Sequence, residues 1–142
     1  MYTAVGKMDW LVRLDLTDCS ISPMTGPLLA KLLRDGTALR ELQLCDNRLG
    51  REGSLPIFET LKHNTVLVEL DLSTNALDNE AITELAVSLA GNTTLEAVDI
   101  SRNRVGKDAA KALAAMLKKN QTLQYLGLSR MDADLSLGPT LL

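Results

Sequence analysis

The chain is 142 residues long, enough for one domain with a real core, and its 46% hydrophobic and 23% charged residues mark a globular, soluble composition. A formal net charge of −3 argues against a nucleic-acid-coating role, and apolar runs of only a few residues span no bilayer. The start, MYTAVGKMDW, lacks the basic stretch and apolar block of a secretory leader, and Cys19 with Cys45 implies no disulfide framework, so a reducing, cytoplasmic setting is expected.

In chain order, one pattern recurs. Apolar residues stand at offsets 1, 4, 6 and 11, with a polar or thiol residue at offset 9. Residues 1–10 resemble the tail of a helix in a preceding half repeat. The first full copy, 11–38, carries Leu11, Leu14, Leu16, Cys19 and Ile21; Pro27 should place its helix start near residue 26. The second, 39–66, carries Leu39, Leu42, Leu44, Asn47 and Leu49. Its Gly50 and Gly53 are expected in the loop, and Pro56 delays the helix to about residue 55. The third, 67–94, carries Leu67, Leu70, Leu72, Asn75 and Leu77, then a helical stripe of Ala81, Ile82, Leu85, Ala86 and Leu89 capped by Asp78.

The fourth, 95–122, carries Leu95, Val98, Ile100, Asn103 and Val105. Its stripe is Ala109, Ala112, Leu113, Met116 and Leu117, and Lys118 and Lys119 suit the helix end. The last, 123–142, is incomplete and degenerate, with Met131 in the Asn slot and Gly138-Pro139 repeating Gly26-Pro27. The step is 28 residues each time. A fixed period in this range predicts a solenoid, because one copy cannot bury its own apolar side.

The first half of each copy alternates like a strand and the second half is helical, so the expected fold class is α/β. Short parallel strands line a concave face and helices a convex one, over about five repeats in a single domain. Leu14, Leu42, Leu70, Val98 and Leu126 should form one buried row, and Leu16, Leu44, Leu72, Ile100 and Leu128 the next. Asn47, Asn75 and Asn103 should be internal staples whose amides serve backbone groups left without ladder partners. Cys19 holds the same slot and is expected to be buried.

With LxxLxLxxN/CxL followed by a helix over residues 11 to 133, the chain resembles leucine-rich repeat proteins of the ribonuclease-inhibitor-like class. That resemblance is specific for fold and poor for function, since the class holds inhibitors, receptor domains, GTPase-activating proteins and cytoskeletal proteins.

Candidate function lies on the concave strand face. Arg13, Asp15, Glu41, Gln43, Glu69, Asp71, Asp99, Arg102, Tyr125 and Arg130 are the candidate partner-binding residues, acidic through the first three copies and mixed or basic at the C-terminal edge. The reading is a non-enzymatic module binding a protein partner there. One alternative resembles Ran-directed GTPase-activating proteins, although those have longer arrays and an acidic tail. Another is a structural segment that contacts partners, or itself, through its end faces. At those ends, either the array continues or pairs, or half repeats with Trp10 and residues 135–142 cover it.

Asp71 and Asp99 should lie about 5 Å apart on adjacent strands, but an open sheet gives them no pocket. No metal ligand set, cofactor site or nucleophile triad assembles around His63, and Cys45 should face solvent without a partner to lower its pKa. The triplets at Asn92 and Asn120 match a glycosylation signal but also the helix-to-strand junction, and are expected to be unused.

Overall fold

The computed structural model describes residues 9–35 and 38–133. The expected helix tail before residue 9 and the Gly138-Pro139 half repeat lie outside the described residues. The elements follow the repeat. Coil one has β1 (Arg13–Asp15), a 3-10 turn (Pro23–Thr25) and α1 (Gly26–Asp35). Coil two has β2 (Glu41–Gln43) and α2 (Gly50–Leu61). Coil three has β3 (Glu69–Asp71) and α3 (Asn79–Ala90). Coil four has β4 (Ala97–Asp99), β5 (Arg104–Val105) and α4 (Lys107–Lys119), and β6 (Tyr125–Gly127) and β7 (Asp132–Ala133) follow.

Strands β1, β2, β3, β4 and β6 form one parallel sheet in that order. The register is the repeat itself, with Leu14 opposite Leu42, Leu42 opposite Leu70, Leu70 opposite Val98 and Val98 opposite Leu126. A second small sheet, β5 with β7, joins the loops beyond the strands. A three-residue strand has too few bonds to persist alone, so each depends on its neighbours.

Burial follows from having a coil on both sides. Leu42, Leu70 and Val98 are buried, as are Leu44, Leu72 and Ile100 behind them, each contributing about 1.5–3 kcal/mol. Leu14, Leu16 and Leu126 are only half-buried. Leu128 and Leu117, expected in the core, are exposed, because among the described residues no coil covers the far side of the last one. Trp10 is 71% exposed and does not cover the first coil. Between sheet and helices, Phe58, Ile57 and Leu61 of α2 fill the space beside the full α3 stripe, and Ala109, Leu113 and Met116 continue it on α4.

The Asn row ties the coils together. Asn75 is fully buried; its Nδ2 donates to the Leu44 carbonyl of the preceding coil (2.7 Å) and to the Ser73 carbonyl (3.1 Å), and its Oδ1 accepts from Leu49 N–H (3.3 Å). Asn103 Nδ2 donates to the Leu72 carbonyl (3.0 Å), and its Oδ1 accepts from Asn75 and Leu77 N–H (3.1 and 2.9 Å). Asn47 does the same for coil one through the Leu16 carbonyl and the Cys19 and Ile21 N–H groups. Each amide therefore serves the coil before it. Cys19 has no described coil to serve and is exposed, contrary to expectation; its thiol only reaches back to the Thr17 carbonyl.

A second ladder runs along the helix-to-strand junction and escapes the sequence reading. Asn64, Asn92 and Asn120 donate to the carbonyls of Leu33, Leu61 and Leu89 one coil back (2.9, 2.7 and 2.7 Å). Their Oδ1 atoms accept from the N–H groups that open the next strand, such as Leu67, Leu95 and Leu123. Asn92 is buried with its amide nitrogen committed, which closes it to glycosylation on physical grounds.

Two expectations about coil two are corrected. Helix α2 starts at Gly50 rather than near 55, so Pro56 lies inside it and Gly50 and Gly53 belong to its first turns. Gly50 takes the left-handed φ of 59° that turns the chain into the helix, and its N–H reaches the Asn75 carbonyl (2.9 Å). Pro56 lacks the N–H that would reach Glu52, an exposed residue on the outer side of the helix. Gly53 and Gly26 let α2 and α1 touch by backbone, since a Cβ on Gly26 would collide with the Gly53 carbonyl.

Replacing Asn75 by Ala orphans the buried Leu49 N–H and removes one donor each from the Leu44 and Ser73 carbonyls, which keep Asn47 Nδ2 and the Asp46 N–H. The expected cost is about 2 kcal/mol or more, seen as a melting midpoint lower by roughly 5–10 °C. Cys19→Ala should stay within about 0.5 kcal/mol of the parent. An unchanged midpoint for Asn75→Ala would contradict the staple role.

Candidate functional site

Side chains alternate along a strand, so burying the Leu rows turns the flanking residues to the open side of the sheet. The register then aligns them across coils. Arg13, Glu41, Glu69, Ala97 and Tyr125 form one row, and Asp15, Gln43, Asp71, Asp99 and Gly127 the next. Arg13, Asp15 and Glu69 are exposed, Glu41, Gln43, Asp71 and Asp99 are half-buried, and Tyr125 is 55% exposed.

At the strand exits stand Asp18, Asp46, Thr74, Arg102 and Arg130, one per coil. All five have positive φ, between 51° and 57°. None is glycine, so the left-handed turn that leads each coil away from the sheet carries a side chain at a cost of about 1–2 kcal/mol per residue, least for Asp. These side chains are consequently held at the rim of the face. Arg102 and Arg130 are exposed there.

Much of the acidic character has local work. Asp15, Asp71 and Asp99 each accept the N–H two residues on, from Thr17 (3.0 Å), Ser73 (2.9 Å) and Ser101 (2.8 Å), closing the turn after the strand. Hydrogen bonds from Thr17 and the nearby Arg13 charge hold the Asp15 carboxyl below its ordinary range. Arg13 also lies 3.6 Å from Glu41 and 3.9 Å from Asp15. The Asp99 carboxylate lies where a Cβ on Gly127 would be, so that glycine gives it room.

The next row is more enclosed than alternation predicts, with Ser73 and Ser101 buried and Cys45 half-buried rather than solvent-facing. Ser73 Oγ donates to Asp71 Oδ1 (2.5 Å) and lies 3.1 Å from Cys45 Sγ; Ser129 Oγ meets Ser101 Oγ at 3.0 Å. Burial pushes the Cys45 thiol up, and the Asp71 and Asp46 carboxylates add to that against the Ser73 hydrogen bond. Such a thiol is protonated at neutral pH and a poor nucleophile.

Catalysis finds no enclosure on this face. The half-buried Asp71 and Asp99 carboxylates are each occupied with their own turns. Clefts open elsewhere: one of about 650 Å³ between α1 and α2 beside Pro56, Glu59 and His63, and one of about 640 Å³ along the helix-to-strand edge beside Arg40 and Glu96. His63 is exposed at the end of α2. Among the described residues no group of three or more His, Cys, Asp or Glu is placed to hold a metal ion, and no helix is long and apolar enough to cross a membrane.

The 28-residue register, parallel short strands and Asn ladder define a leucine-rich-repeat solenoid. A family model described as a leucine-rich repeat matches residues 63–86 and 91–114, stretches that run from the end of the second copy into the third and from the end of the third into the fourth. The chain has the leucine-rich-repeat fold. Among solved structures it is similar to the actin-binding site 2 of leiomodin-1, with a TM-score of 0.79 and 21% identity over 87% of this chain and 74% of that one. It is also similar to the C-terminal domain of tropomodulin from Caenorhabditis elegans, with a TM-score of 0.79 and 13% identity over 86% and 75%. Identities this low establish a shared fold. No curated protein sequence matches the chain.

With limiting iodoacetamide at neutral pH, exposed Cys19 should alkylate first and Cys45 should lag until the protein is unfolded, as peptide mapping would show. Equal or faster labelling of Cys45 would contradict its enclosure.

Proposed function

We propose that this chain is a non-enzymatic protein-interaction module that binds its partner through the concave face of the sheet. One observation carries the reading. The side chains of Glu69, Asp71, Asp99 and Arg102 on that face sit on a backbone fixed from behind by buried Leu70, Leu72, Val98 and Ile100 and by the Asn75 and Asn103 amides. Such a surface is pre-organised, so a partner pays little ordering entropy on the module's side. An intracellular setting and membership of the ribonuclease-inhibitor-like class go with this reading. Because leiomodin-1 shares the fold and its solved region carries an actin-binding site, actin is the first protein to test.

The alternative of contact through end faces has its own support. Trp10, Val12, Met24 and Leu28 are exposed on the first coil, and Leu117 and Leu128 on the last described one. The Ran-directed GTPase-activating alternative has no such feature and is tested by GTP turnover.

Reversing charge at Glu69 and Asp71 to Lys separates the sheet face from the ends. Glu69 is exposed, whereas Asp71 is half-buried and closes the turn to Ser73, so an unchanged circular dichroism spectrum has to accompany the result. Loss of partner capture in a pull-down, with actin co-sedimentation as the first assay, is the expected outcome. Capture equal to that of the parent would defeat concave binding and leave the end faces.

A further inference from the structure

Resting on the sheet-face reading, we propose that the face is bipolar and takes an extended peptide segment laid across the strands, anchored by acidic residues on the Arg102–Arg130 pair and carrying basic residues over the first three coils. The anchor is the basic end. Arg102 and Arg130 occupy the same register position on adjacent coils, joined by the Arg102 N–H to the Ser129 carbonyl (2.9 Å). Adjacent strands lie about 4.8 Å apart, so two guanidinium stems leave the rim side by side. Both are exposed, both have left-handed backbones, and neither forms an ion pair among the described residues. Two like charges this close repel, and a carboxylate relieves that while accepting bidentate hydrogen bonds. The carboxylate of their own face, Asp99, is turned onto the Ser101 N–H and over Gly127. Exposed Tyr125, at the start of the same last strand, offers flat contact area elsewhere on the face.

The opposite end has the reverse sign. Across coils one to three the face carries Asp15, Asp18, Glu41, Asp46, Glu69 and Asp71. Arg13 faces the same way but is engaged with Glu41 and Asp15. Arg48 lines the rim cleft with Asp18 and Asp46, one guanidinium against two carboxylates, so that rim is net negative. A wholly acidic partner would be held at coils four and five and repelled over the rest. A wholly basic one would meet the converse. Along the rim row, from Asp46 of coil two to the midpoint of Arg102 and Arg130 is two to three strand spacings, about 10–14 Å. An extended chain covers that in roughly three to four residues. The charges are exposed, so each contributes little and salt weakens all of them; the pattern chiefly sets orientation and partner choice.

The test uses the full chain and three fluorescein-labelled peptides of equal length, read by anisotropy at low ionic strength. One carries two lysines and two glutamates separated by four Gly/Ser residues; the others carry four lysines or four glutamates. The mixed peptide should bind about tenfold tighter than either single-sign peptide. The double variants Glu69→Lys/Asp71→Lys and Arg102→Glu/Arg130→Glu should each weaken it by about tenfold. Combining all four reversals should recover part of that loss, because the peptide then lies the other way round, a rescue that a merely misfolded variant cannot give. Binding of the four-lysine peptide at least as tightly as the mixed one, with no effect of the Arg102 and Arg130 reversals, would overturn bipolarity while sparing the concave face. Failure of every peptide to bind would overturn the proposal outright. The sheet-face reading itself falls only if partner capture is also indifferent to the Glu69 and Asp71 reversals.

Discussion

Leu70 is hidden from water because Leu42 and Val98 lie on either side of it in one register. The same sentence holds for Leu72 between Leu44 and Ile100. No coil can bury its own row, since its strand is three residues long and its helix covers only one flank. The stack is thus the unit of stability, and every other feature is arranged to keep the coils at one spacing. The two Asn ladders do this at both corners of each coil. Asn47, Asn75 and Asn103 reach back where the chain leaves the sheet, and Asn64, Asn92 and Asn120 where it returns. Among the described residues no buried side-chain nitrogen or oxygen is left without a partner.

That arrangement decides which residues are available for binding. The face opposite the Leu rows is spared from packing, yet part of it closes turns. Asp71 and Asp99 hold their own loops, and Ser73 and Ser101 are buried between neighbours. The side chains left with no structural duty are those at the strand starts and the rim, Glu69 and Tyr125 among the former and Arg102 and Arg130 among the latter. A partner meets these on a surface that does not have to rearrange.

The period and the core were legible because they depend on letters repeating at 28 residues, and the central coils answer to that rule without exception. Position within the stack is what letters do not carry. Leu128 and Leu72 hold the same slot, but one has a described coil on each side and the other does not. Cys19 differs from Asn75 for the same reason, and because each amide serves the coil before it. Pro56 misled through a local rule; it removes one hydrogen bond on the exposed side of α2, less than the packing of Ile57, Phe58 and Leu61 returns. The left-handed rim was not visible because Asp, Thr and Arg hold it where glycine would announce it. On the candidate face, the acidic residues were legible as charges but not as turn closers, since a surface Asp and a capping Asp are written alike.

Native-state hydrogen exchange tests the dependence of each coil on its neighbours most directly. The Leu16, Leu44 and Leu72 N–H groups make matching bonds to Gln43, Asp71 and Asp99 carbonyls, at 2.8, 2.9 and 2.8 Å. Bond length therefore does not distinguish them, and only the covering on the outer side does. Leu44 and Leu72 should exchange about tenfold more slowly than Leu16, or slower still. Protection at Leu16 equal to that at Leu72 would show that a coil holds together without a described neighbour on each side.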